Sequence, residues 1–257
     1  MRLSSRALGL AALVAFPSAA EDLTIAYKVS SGDKTATATT YVGAAGYKHS
    51  EGDAESIFDF KTGKLSVVDN KKRQYWETTA EEMQAAMQKM SAQMTQMQEQ
   101  MKNMPPALRD KMMAGMGAMA ESVKATKGGA PRSVAGYSCQ PWLITIGGDP
   151  ESAPIKTETC NTKDIAFPAQ AWEARKAMMG GMGGANPMGQ NFQKLFDEMK
   201  KIEGFSVSET TTLRLLGKAQ TTTREVTEVK KGAIPASAFA VPEGYKKVDS
   251  PYAKMAR

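Results

Sequence analysis

At Thr79 the hydrophobic period of the chain changes. Upstream, from Leu23, apolar and polar residues alternate in short runs such as DLTIAYKVSSG and RQYWETT, the pattern of half-buried strands. Downstream, EEMQAAMQKMSAQMTQMQEQMKNM places methionines at 83, 87, 90, 94, 97, 101 and 104, spaced alternately by four and three. That spacing keeps Met83, Met87, Met90, Met94, Met97, Met101 and Met104 on one helix stripe. A chain carrying both periods joins a β-meander to a helix, and the predicted class is α+β.

The meander continues through KTATATTYVG, AGYKHSEG, ESIFDFKTG and KLSVVDNKK, whose turn residues make sequence neighbours antiparallel neighbours in space. Thr79 and Glu82 have the spacing of a capping box and start the helix. Pro105-Pro106 stops it. A second helix is predicted over 107–125, with Leu108, Met112, Met116, Met119 and Val123 on one face, so that 79–126 reads as a helical hairpin inserted between strands. β-structure resumes in PRSVAGYSCQPWLITIG and APIKTETC. Helices are predicted over 167–179 and 191–204, separated by a glycine-rich linker at 180–189. The last hairpin, FSVSETTTLRLLGKAQTTTREVTEVKKG, turns near Gly217-Lys218. It is rich in threonine and poor in large apolar side chains, so it offers a thin hydrophobic face. Phe239, Val241 and Tyr245 are the tethers predicted for the closing segment.

Arg2 and Arg6, the apolar run from Ala7 to Phe16 and the small residues Ser18-Ala19-Ala20 have the anatomy of a secretory signal peptide. Residues 1–20 are therefore expected to be removed, leaving one domain over 21–257 in the periplasm or outside the cell. No cysteine follows the cleavage site, so lipid anchoring is not indicated. The chain's two cysteines, Cys139 and Cys160, enter an oxidising compartment and are expected to pair as a disulfide stapling neighbouring strands. The formal charge of +6 is scattered rather than clustered with aromatics, which argues against nucleic acid and leaves peripheral membrane contact open.

No hydrolytic motif, phosphate-binding loop or zinc signature is present. The single histidine, His49, reads as a surface or sheet-edge side chain, and Glu55, Asp59 and Glu77 read as outward, solvated strand positions. The expectation is a non-enzymatic protein without a cofactor. The methionine stripe has three readings. It packs as an ordinary amphipathic face. Or it forms an adaptable surface for a lipid or an apolar protein segment, since thioether chains adjust to differently shaped partners; Met112, Met116 and Met119 would extend that lid. Or it binds Cu(I), which soft thioethers suit, with compact clusters at Met112, Met113 and Met116 and at Met178, Met179 and Met182. A structural role at the cell envelope is a further alternative.

Gly136-Tyr137-Ser138-Cys139, and Ile234-Pro235 followed by Phe239, Pro242, Gly244 and Tyr245, carry a resemblance. The chain resembles the exported bacterial proteins grouped as domain of unknown function 4412, which share a GYxC strand and a closing IPxxxFxxPxGY. The resemblance implies a fold similar to periplasmic lipoprotein carriers of the LolA and LppX type. In those a curved antiparallel β half-barrel has helices covering its concave face. Here the Met-rich hairpin and the later helices take that place, and the expected function is to bind or carry a hydrophobic ligand.

Overall fold

The computed structural model describes residues 21–102, 123–166, 194–195, 197–215 and 218–256. The leader expected over 1–20, the helix expected over 167–179 and the linker at 180–189 lie outside them. The alternating segments pair as their pattern demands. β1 (Leu23–Ser31), β2 (Lys34–Val42), β3 (Gly46–Glu51), β4 (Ala54–Asp59), β5 (Lys64–Asp69) and β6 (Gln74–Thr79) form an antiparallel meander in chain order. A second group comprises β7 (Val123–Lys127), β8 (Arg132–Val134), β9 (Tyr137–Ile146), β10 (Ile155–Thr162), β11 (Phe205–Leu215) and β12 (Lys218–Lys231). The groups join where β1 pairs antiparallel with β12. The result is an open sheet of 13 strands, ending at one side with β13 (Lys246–Lys247), which runs parallel to β6.

Directly opposed residues share a face, so the register defines one inner face. Leu23, Ile25, Tyr27 and Val29 of β1 stand beside Val42, Thr40, Ala38 and Ala36 of β2. Leu23 and Ile25 are 2% and 0% exposed, and their cluster takes in Val207, Val226, Ile165 and both cysteines. The β8–β9 hairpin adds Val134 and Tyr137 to it. Its two-residue turn, Ala135-Gly136, has positive φ at both positions (51° and 84°), which matches the twist of the strands it joins. Cys139 and Cys160 are bonded across β9 and β10, with Cα atoms 5.3 Å apart. The predicted staple is in place.

Where apolar side chains run out, hydroxyls take over. Thr157 meets Thr211 at 3.0 Å, Thr210 meets Thr223 at 3.1 Å and Thr212 meets Thr221 at 3.1 Å. Each cross-strand pair fixes register without burying much carbon. The threonine-rich strands are thus held by short polar ladders rather than by a deep core.

Helix α1 (Ala80–Lys102) begins where the period changes. The Thr79 amide donates to Glu82 Oε2 at 3.2 Å and the Glu82 amide to Thr79 Oγ1 at 3.3 Å, the reciprocal capping box. The helix lies near the sheet's end, packing mainly on a short C-terminal helix, α2 (Pro251–Ala256), and on β6. Trp76 and Tyr252 meet edge to face there, with ring centroids 5.9 Å apart. Met83 is 7% exposed and Ala86 2%, so the first methionine of the stripe is core.

The hairpin expected to cover the concave face is not seen among the described residues. The span 103–122 lies outside them, and 123–125, expected to end its second helix, belong to strand β7. The β-branched Val123 and Thr126 serve β7 on its ladder with β9. That edge is capped by Glu198, which accepts the Ala125 amide at 2.8 Å from a helical stretch at 194–195 and 197–199. The expected helix over 191–204 is represented by those residues.

Replacing both cysteines by serine is expected to lower unfolding stability by about 3 kcal/mol, measured by urea denaturation, with the far-UV spectrum of the native state unchanged.

Candidate functional site

The segment after β12 crosses the outer face of the meander as a strap. Its start is fixed by Asp22, whose carboxylate accepts the Ile234 amide at 2.8 Å and the Ala44 amide at 3.2 Å. One side chain thereby ties the beginning of β1 to the β2–β3 turn and to the strap. Phe239, 9% exposed, then packs with Ile57 and Val68 on the outer face, joined by Val241 and Tyr245. It can settle there because β3 begins with Gly46. A Cβ on Gly46 would stand 2.5 Å from the Phe58 carbonyl oxygen and 3.3 Å from the Phe239 ring. The strap ends by hydrogen bonding to the β6 edge, through Lys246 N to Arg73 O at 3.0 Å and Val248 N to Tyr75 O at 2.8 Å. Tyr245 is fixed by a 2.9 Å hydrogen bond to Asn70 Oδ1 and by Arg73 over its ring. All three predicted tethers are tethers.

Strap and sheet enclose an open groove of about 840 Å³. Its floor is Ile57, Ser66 and Tyr75 of β4, β5 and β6, and Phe60, Phe239 and Val241 add apolar wall. Ala44, Ala45, Ala236 and Ala240 line its mouth, and their short side chains are what leave the space open. Asp59, Lys61, Thr62, Lys64 and Glu77 complete the rim. Two carboxylates expected at solvated positions, Asp59 and Glu77, are therefore groove-lining. Glu55 also departs from that expectation: it pairs with Lys48 at 2.9 Å, and the two side chains are 14% and 16% exposed.

On the inner face stands a polar cluster that the sequence hid. His49 is not at the surface or the edge. It lies on β3 opposite Thr40, its Nδ1 2.9 Å from Thr40 Oγ1. Arg224, from β12, donates to His49 Nε2 at 3.2 Å and to Glu51 Oε2 at 3.4 Å, with its guanidinium over the Tyr27 ring. A hydroxyl, an imidazole and a carboxylate in reach of one another are the roster of a hydrolytic triad, but the protons run the wrong way. A guanidinium only donates, so Nε2 is an acceptor and the proton of neutral His49 sits on Nδ1, pointing at Thr40. The ring cannot then take the Thr40 proton, and Thr40, 2% exposed, is closed to substrate. Burial first and Arg224 second hold the His49 pKa below its usual value, against the pull of Glu51. Burial beside Tyr47 drives the Tyr27 phenol far above its ordinary range.

Of the methionines predicted as a lid or ligand site, only the side chains of Met83 and Met90 lie among the described residues. Met83 is buried and Met90 half-buried in α1. The side chains of Met87, Met94, Met97 and Met101, and all of Met104, Met112, Met113, Met116, Met119, Met178, Met179 and Met182, lie outside the described residues. Among the described residues no three His, Cys, Asp or Glu side chains gather as a metal site.

The family model described as Domain of unknown function (DUF4412) matches residues 49–245. The chain belongs to that family. The DUF4412 span runs from His49 on β3 to Tyr245, whose hydroxyl closes the strap on Asn70. Among curated proteins none matches the chain. Of solved structures, one described as PNGF-II is 11% identical with a TM-score of 0.40, covering 92% of this chain and 33% of its own. MucB in complex with MucA(peri) is 11% identical, TM-score 0.39, covering 89% of this chain and 57% of its own. The Pseudomonas aeruginosa MucA/MucB complex is 10% identical, TM-score 0.39, covering 88% and 56%. The DUF4412 chain thus spans between a third and about three fifths of those chains.

The lowered His49 pKa has a defined sign. Neutral His49 is favoured by folding, so its contribution to stability is complete above the unfolded value of about 6.5. It is lost as pH falls from there through the lower folded value. Nitrogen-15 NMR is expected to show the Nδ1–H tautomer and a midpoint below 6.5, and Arg224→Met is expected to raise that midpoint.

Proposed function

We propose that this DUF4412 protein is a non-enzymatic carrier of a small hydrophobic or amphiphilic ligand, held in the groove beneath the C-terminal strap. The observation that carries the reading is the groove itself: about 840 Å³, with Ile57, Phe60, Phe239 and Val241 as apolar wall and four alanines keeping its mouth clear. That volume falls in the range of small-molecule sites, which are mostly apolar with a few placed polar groups. The ligand then lies beside the Met-rich helix rather than under it, because the groove adjoins β6 and Met83 is spent on packing α1 against its neighbours.

A non-catalytic role is supported by the inner-face cluster. The chain's single histidine has its lone pair turned to Arg224 and its proton to a buried threonine, so it can serve neither as base nor as activator. A place in the periplasm is supported by the leader-like first twenty residues and by the Cys139–Cys160 disulfide. Among the described residues no helix is long and apolar enough to cross a membrane.

A neutral environment-sensitive dye such as N-phenyl-naphthylamine tests the reading. It is expected to bind the protein saturably and to be displaced by long-chain alcohols. Ala240→Trp fills the mouth at an exposed position with extended backbone (φ −100°, ψ 149°), so it should abolish dye binding while leaving the melting temperature nearly unchanged. Equal dye binding by wild type and Ala240→Trp would remove the groove as the site.

A further inference from the structure

We infer that the groove selects an amphiphile with an anionic head, a single-chain carboxylate or phosphate ester, read by Lys61 and Lys64. This rests on the groove being the ligand site. The argument begins in the β4–β5 turn, which is built rather than loose. Asp59 Oδ1 accepts the amides of Lys61 at 2.8 Å and Thr62 at 2.9 Å, and the Gly63 amide closes onto the Asp59 carbonyl at 2.9 Å. The turn therefore presents Lys61, Thr62 and Lys64 together at one end of the groove, all three lining it.

The charges there are not equivalent. Asp59 is engaged by its own turn, and Glu77 Oε2 is held by Lys247 Nζ at 2.5 Å. Lys61 and Lys64 have no ion-pair partner among the described residues. Among the lining residues Lys61 and Lys64 equal Asp59 and Glu77 in number. Lys247, outside the lining, pairs with Glu77. Two ammonium groups therefore stand against one remaining carboxylate, Asp59, whose Oδ1 is bonded to its own turn. Ammonium donors form their stronger hydrogen bonds with ionised acceptors, and the Thr62 hydroxyl can add a third. Away from this turn the wall is Phe239, Val241 and Ile57. An anionic head between the lysines with its chain along that wall satisfies both ends; a cationic head would face like charge.

The test compares a fluorescent long-chain fatty acid with its methyl ester on the full mature protein. The acid is expected to bind about tenfold more tightly than the ester, as two partly exposed ion pairs would give. That preference should shrink at high salt. Lys61→Ala/Lys64→Ala should bring the acid to the ester's affinity and leave the ester unchanged. Equal binding of acid and ester by wild type overturns the inference while leaving the groove as an apolar site. An acid preference that survives in the double variant also overturns it, because the anion is then read elsewhere. Failure of both probes, with the neutral dye also unbound, refutes the groove itself. Co-sedimentation with anionic phospholipid vesicles that needs both lysines, without binding of free acid, would assign the lysines to a membrane surface and overturn the inference.

Discussion

The ladder between β1 and β12 is the interaction on which the other features depend. It brings the start of the described chain against a strand some two hundred residues later, pairing Leu23 with Lys231 and Ser31 with Thr222. Closing so long a loop costs entropy that only burial and a long ladder can offset. Leu23, Ile25, Tyr27 and Val29 supply the burial, with Val226 from the partner strand. Without this pairing the meander and the second strand group would be two sheets with four exposed edges. With it they form one sheet, in which β7 at one end is capped by Glu198 and β6 near the other is covered by the strap, whose β13 pairs with it. Covered ends are how open sheets avoid pairing with other chains.

Both candidate sites are consequences of that ladder. On the inner face it delivers Arg224 from β12 to His49 on β3, across β1 and β2. On the outer side it leaves Asp22 next to the end of β12, where it accepts Ile234 and launches the strap. The chemistry then differs by face. The inner cluster is mutually satisfied: Arg224 donates, His49 accepts and donates on, and Glu51 offsets the charge. Such a network sets register and holds a neutral imidazole. The outer groove has an apolar wall, short side chains at its mouth, and both lysines and carboxylates on its rim.

The meander could be read from alternation, because a half-buried strand must place its apolar residues two apart. The helix start could be read from Thr79 and Glu82, whose reciprocal bonds are local. The disulfide followed from a count of two cysteines in a chain expected to be exported. Each of these rests on neighbours in sequence or on a count. His49 was misread for the opposite reason. Its partner Arg224 is 175 residues away, and no local pattern marks a strand as the one that will lie beside β1. Val123 to Ala125 were read as helix because the segment before them is helix-forming, whereas the β9 edge decides their state. Glu55, Asp59 and Glu77 sit on the polar side of alternating strands and were read as solvated. The strap that covers that side is specified by Ile234, Phe239 and Tyr245, and nothing in the meander announces it.

The sequence by itself determined the local grammar: where strands alternate, where the helix is capped, which cysteines are available, and that a closing segment carries apolar tethers. Those properties arise from backbone geometry and side-chain spacing within a few residues. Tertiary structure decided which face became interior, which proton His49 carries, and where space remains. These depend on the β1–β12 register and on the path of the strap, set by contacts among residues far apart in the chain. The methionine stripe shows the division plainly. Its spacing dictates a helix face, yet only the packing of α1 with α2 and β6 makes Met83 core and leaves the open groove under the strap to be lined by other residues.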